Sequence, residues 1–205
     1  MDRLDRMLAL VRSHRPGLRL VHKADVAWMR WAGRLIRPIS PDFDRAVTTV
    51  IGDTVYLPVP PDRFDRDQLA RILAHELVHQ LDQREHGLRF YASYLLTPAP
   101  FGRTHRARWE RRAYAVDLMI AREEGGDEGL RRAAQRLVGL FSGPSYAWMW
   151  AGRGAARAFL EPTVEAVRAG ELQVEWPYRE ILAAWRGRPV ALPREASAGG
   201  PGRPG

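Results

Sequence analysis

His75-Glu76-Leu77-Val78-His79 sets two imidazoles four residues apart with a carboxylate beside the first. On an α-helix, residues i and i+4 share one face with Cβ atoms about 6 Å apart, so both imidazoles can reach a single tetrahedral zinc at about 2.1 Å. Glu76 is turned from direct ligation yet close enough to touch a water held by such a metal, which is the place of a general base. The chain contains no cysteine, so any metal must be held by His, Asp or Glu.

Two histidines leave a third protein ligand to be found. Glu85 and His86 lie six and seven residues beyond His79, roughly 10 Å further along an unbroken helix, and cannot return to the metal. The longer H-E-x-x-H-x-x-G-x-x-H pattern would turn the chain with a glycine, but Asp82 and Glu85 occupy its glycine and final histidine positions. Downstream, Trp109-Glu110-Arg111-Arg112-Ala113-Tyr114-Ala115 carries Glu110 on a second helical stretch whose small Ala113 and Ala115 permit close helix approach. A glutamate from that neighbour completes a His₂Glu set. His14 and His22 are read as structural.

H-E-x-x-H followed some thirty residues later by E-x-x-A-Y resembles the gluzincin branch of zinc metallopeptidases, and more narrowly the short single-domain minigluzincins. The segment Thr48 to Pro58 also resembles what precedes the active-site helix there, so the likeness covers about residues 46 to 118. It implies a zinc-dependent peptidase with one Zn2+ per chain, held by His75, His79 and Glu110, and Glu76 as catalytic base. Where thermolysin-like enzymes carry an acidic residue four positions after the ligand glutamate, this chain has Tyr114. Asp117 or Asp82 is then the candidate to orient a histidine. Tyr114, His105, Tyr91 and Tyr94 are candidates to stabilise the oxyanion, Tyr114 foremost. The alternatives are a non-catalytic protein of the same fold with a structural zinc or binding role, and an arginine-rich binder of nucleic acid or a membrane surface.

The elements around these residues follow from periodicity and caps. Leu4, Met7, Leu8 and Val11 mark a first helix, and Leu18 to Lys23 reads as a strand. Asp25 caps a helix whose Trp28, Trp31, Leu35 and Ile36 face the core. Residues 46–51 and 54–59 form a hairpin about Gly52-Asp53. Pro58, Pro60 and Pro61 cannot donate to a ladder, which predicts an exposed edge for the second strand. Thr54, Val55, Tyr56 and Leu57 would then be a rail for an extended peptide, with Phe90 to Tyr94 as the opposite wall. Asp65 and Gln68 open, and Gly87 ends, one long helix over the H-E-x-x-H segment. An irregular aromatic stretch, residues 88–102, precedes a helix over 106–122. Further helices are expected near 128–140, 154–168 and 177–185.

The chain has 205 residues, 45% of them apolar, enough for one compact domain. The expected fold is α+β and zincin-like over residues 1–187. A small, mostly antiparallel sheet packs on the H-E-x-x-H helix and a second ligand-bearing helix, extra helices follow, and 188–205 form a disordered tail rich in Pro, Gly, Ala and Arg. Neither a signal-peptide core nor a membrane-length apolar run is visible, which gives a cytoplasmic expectation. The net charge of +8 comes almost wholly from arginine, Lys23 being the single lysine. No nucleic-acid motif accompanies it, so the expected partner is a peptide or protein substrate, with no specific nucleic acid; oligomeric state is left open. The basic run Arg103 to Arg112 reads first as a solvated face balancing Glu123, Glu124, Asp127 and Glu128. Tyr146, Trp148, Met149 and Trp150 read first as core.

Overall fold

The computed structural model describes residues 1–38, 41–95, 105–143, 149–150 and 152–189, the side chains of Leu95 and His105 excepted. The fold is α+β and mostly helical, with elements in the order α1 (Arg3–His14), β1 (Arg19–His22), α2 (Ala27–Ile36), β2 (Thr49–Ile51), β3 (Thr54–Leu57), α3 (Arg66–His86), α4 (Leu88–Leu95), α5 (His105–Phe141), α6 (Arg153–Ala169) and α7 (Tyr178–Arg186).

Helix α3 is the axis of the molecule. Asp65 accepts from the amides of Asp67 and Gln68 at its start, and Gly87 closes it. Leu69, Leu73, Leu77 and Leu81 are buried as their spacing predicts, but so are Glu76, His79, Gln80, Asp82 and Gln83. A helix with this much polar surface can be enclosed only if each polar group has a purpose. Two of them fasten the sheet: Gln80 Nε2 donates to Gly52 O at 3.0 Å, while Gln83 Nε2 donates to Val50 O and its Oε1 accepts from Gly52 N. Helix α1 buries Leu4, Met7, Leu10 and Val11 and packs against α3 and α7.

The sheet corrects two expectations. Its order is β1-β3-β2, with β3 parallel to β1 and antiparallel to β2, so it is mixed, not mostly antiparallel. The hairpin turn at Gly52-Asp53 forms, but β3 lies in the middle, with Thr54 opposite Arg19 on one side and Ile51 on the other. Thr54, Val55, Tyr56 and Leu57 therefore cannot be a substrate rail, because both sides of that strand already pair. Pro58 and Pro60 lie beyond the paired stretch and obstruct neither ladder.

Helix α2 also departs from expectation. It turns Met29 and Gly33 inward, not the large apolar residues. Gly33 admits the loop beneath: a Cβ there would run into the Asp44 carboxylate. Residues 88–95 are helical, not irregular, because Phe90 and Tyr94 stack at helical spacing with centroids 5.4 Å apart. The helices expected over 106–122 and 128–140 are two arms of α5, broken at Gly126, whose φ of 58° and ψ of −151° suit glycine alone. The arms fold back on each other, with Gly129 against Ala121 O and Phe141 against Tyr114. Met149 is buried and Trp150 packs on Phe159, while Tyr146, Trp148, Arg103 and residues 190–205 of the expected tail lie outside the described residues.

Candidate metal centre

Helix α3 presents His75 and His79 one turn apart toward α5, which runs alongside it. Glu110 and Asp117 stand seven residues apart on α5, two turns along one face, so one helix serves the metal position and the rear of a histidine together. Glu110 Oε2 lies 3.9 Å from His75 Nε2 and 3.8 Å from His79 Nε2. The ligand atoms of the three residues all fall within 4.8 Å of one another. A tetrahedral zinc with bonds near 2.1 Å places its ligand atoms about 3.4 Å apart, so small side-chain movements suffice. Glu110 Oε2 is buried without a hydrogen-bond partner among the described residues, aimed into that gap. A buried carboxylate oxygen that faces two imidazole nitrogens without a hydrogen bond fits a cation, and the residues present fit a metal ion.

Two of the three candidate ligands are secured on their far sides. His75 Nδ1–H donates to Asp117 Oδ2 at 2.8 Å, which leaves Nε2 to face the centre. The Tyr94 hydroxyl donates to Glu110 Oε1, so that carboxylate is held at one oxygen and free at the other. Burial pushes the Tyr94 hydroxyl well above its ordinary range and keeps it a donor. Burial alone would raise the Glu110 carboxyl, but His79, His75 and Arg106 outweigh it and hold it at about 2. Burial would lower His75; Asp117, Glu76 and Glu110 reverse this and raise it to about 9. Glu76 is 6% exposed, and burial raises its carboxyl despite the opposing charges of His75 and His79.

Of the two candidates to orient a histidine, only Asp117 touches one. Asp82 turns instead to the Arg112 guanidinium at 2.9 Å, in an ion pair without hydrogen-bond alignment, and His79 Nδ1 has no hydrogen-bond partner among the described residues. Tyr114 is at the centre, its ring edge-on to His75 with centroids 4.5 Å apart. Tyr91 is not: its hydroxyl donates to Gln83 Oε1. The expected opposite wall, Phe90 to Tyr94, is largely committed to support, with Phe90 buried 6.2 Å from the His79 ring. The basic run is solvated at Arg108 and Arg112, which are exposed, but the expected acids do not balance it. Arg112 pairs with Asp82 and Arg111 lies over Phe159, while Glu123 and Glu124 pair with Arg186, Arg3 and Arg71.

Two residues at or near the centre have roles that sequence reasoning missed. Tyr94 was a candidate for the oxyanion, not for holding Glu110; the i, i+4 spacing of Phe90 and Tyr94 was the available signal. Lys23 is buried at the end of β1, donating to Phe43 O at 2.9 Å with its amine over the Phe43 ring. Burial lowers it to about 8, opposed by the charges of Asp44 and Glu76, so a cation stands within electrostatic reach of Glu76. Its being the single lysine was a hint without a location.

Tyr94→Phe keeps the ring on Phe90 and removes only the hydroxyl. Zinc affinity, measured by competition with a chromophoric chelator, is expected to fall about tenfold, with little change in thermal stability.

Compared with protein-family models, curated proteins and solved structures, the chain matches none.

Proposed function

We propose that this chain is a zinc-dependent peptidase of gluzincin type, built on a zincin-like domain in which His75, His79 and Glu110 hold one metal ion. The observation that carries the reading is the convergence of two imidazole Nε2 atoms on a buried Glu110 Oε2 that has no hydrogen-bond partner among the described residues, with Glu76 enclosed on the same helix. Zinc at that position would supply a water of lowered pKa and polarise a substrate carbonyl. Glu76 would take the proton from the attacking water and hand it to the leaving amine, a task suited to a carboxyl whose proton affinity burial has raised. Asp117 keeps His75 in the tautomer that offers Nε2, and Tyr94 keeps Glu110 from rotating. Tyr114 would be the further donor to the developing oxyanion. A cleft of about 430 Å³ beside Tyr114 and Asp117, lined also by Leu137 and Leu140, would accept an apolar substrate side chain.

A second reading, a non-catalytic protein with a structural metal, draws on the low exposure of Glu76 and Glu110, 6% and 2%. Elemental analysis and hydrolysis of a quenched fluorescent peptide mixture separate the two. The expected result is one zinc per chain and a cleavage activity that a chelator abolishes and added zinc restores. Zinc without hydrolysis selects the structural reading, and protein purified without chelator that neither contains nor binds zinc defeats both. Among the described residues no helix is long and apolar enough to cross a membrane.

A further inference from the structure

Helix α2 leaves its largest apolar residues in water. Trp28, Trp31 and Leu35 are 48%, 65% and 64% exposed, while Met29 is buried. At about 100° per residue, Trp31 points directly away from the midpoint of Met29 and Gly33, with Leu35 and Trp28 within roughly 60° of it on one side. Beyond Trp31 on the other side come Arg34, Arg30 and Arg37, within roughly 120° of it. The outward half of α2 is thus an apolar stripe beside a basic one, and the helix contains no acidic residue. The guanidiniums of Arg34 and Arg37 have no partner among the described residues, and Arg30 donates only to Ala24 O. Asp44 meets α2 at Gly33, on the inward side.

We propose that this face of α2 docks on an anionic lipid bilayer, the helix lying in the plane of the interface. The inference is independent of the metal centre. Tryptophan and leucine would enter the boundary between headgroups and acyl chains, while the arginines beside them meet lipid phosphates. Ten residues span about 15 Å, half a bilayer core, so α2 lies on the membrane and does not cross it. The net charge of +8 draws the whole chain toward the same surface. Nucleic acid would use the arginines and stack on the indoles but leave Leu35 in water, and a second copy of this chain would bring arginine against arginine.

The test is co-sedimentation of the full chain with vesicles of phosphatidylcholine alone and of phosphatidylcholine with one quarter phosphatidylglycerol. Strong partition onto the anionic vesicles, weakened by salt, is expected. Trp31→Gln with Leu35→Gln leaves the net charge untouched and should lower that partition at least about tenfold with an unchanged circular dichroism melt. Arg34→Gln with Arg37→Gln should weaken binding and flatten its salt dependence. Trp28 is spared because its ring packs on Tyr56. The proposal is overturned if the wild type ignores anionic vesicles, or if the Trp31/Leu35 variant binds as well as wild type, since binding is then a general effect of net charge. Unfolding of that variant would make the face part of the core, and a wild-type dimer or DNA complex lost in it without vesicle binding would assign the face to that partner.

Discussion

Glu76→Gln is expected to cut peptide hydrolysis by roughly 10²- to 10⁴-fold while zinc content stays at one per chain. Glutamine preserves the shape and packing of a side chain that is 6% exposed, and it can neither accept the proton of the attacking water nor deliver it to the amine. Stability is not expected to fall. A carboxyl whose folded pKa lies above the unfolded value is, when ionised at neutral pH, a net cost to the fold, and the amide removes that charge. The measurements are kcat/KM on the best cleaved peptide, metal by elemental analysis and Tm on one preparation. A variant that loses zinc or melts far below wild type would make Glu76 a structural residue and end its assignment as the base.

Zinc affinity is expected to fall with pH, with a slope set by Asp117. In the metal-free chain Asp117, Glu76 and Glu110 together overcome burial and hold His75 protonated up to about pH 9. Zinc can be taken up only by the neutral imidazole, so below that pH His75 alone costs about tenfold in affinity per unit. Glu110, held at about 2, adds nothing to the slope near neutrality. Asp117→Asn keeps an acceptor for Nδ1–H and removes the charge. The slope between pH 7 and 9 should flatten, and affinity at pH 9 should fall about 10- to 100-fold. The metal-free fold should respond in the opposite sense. A histidine whose folded pKa exceeds 6.5 contributes stability that is complete below 6.5 and lost as the pH rises through about 9. The Tm without zinc should therefore decline over that interval in wild type and hold nearly level in Asp117→Asn. Calorimetric zinc titrations and chelated melts at pH 6.5, 7.5 and 9 give both curves, and parallel slopes in the two proteins would refute the role given to Asp117.

How far these residues could be read without a fold depends on how local each signal is. Helix α3 was legible end to end, because Asp65 caps amides two and three residues away and Gly87 closes the last turn. The pairing of His75 with His79 follows from helical pitch; with Glu85 and His86 set aside, Glu110 was suggested by its place on a second helix beside small Ala113 and Ala115 and by the gluzincin likeness. The two helical stretches over 106–122 and 128–140 were legible as separate helices, though not that the break falls at Gly126 or that the arms fold together.

The rest was decided by contacts between segments distant in sequence. The alternation and prolines of residues 54–59 describe a strand but not its neighbours; β3 became central because β1, thirty-five positions upstream, pairs along its whole length. The period of α2 shows two unlike faces but not which one is inward; Asp44 meeting Gly33 decided that, leaving Trp31 and Leu35 outside. Asp117 and Asp82 are equally plausible as orienting acids in sequence; Asp117 reaches His75 because it shares the α5 face of Glu110, and Asp82 turns to Arg112. Caps and periodicity act within a turn or two of the chain and are written in neighbouring residues. Strand order, the buried side of a helix and the partner of a carboxylate are set by which surfaces meet, and only the folded chain brings those surfaces together.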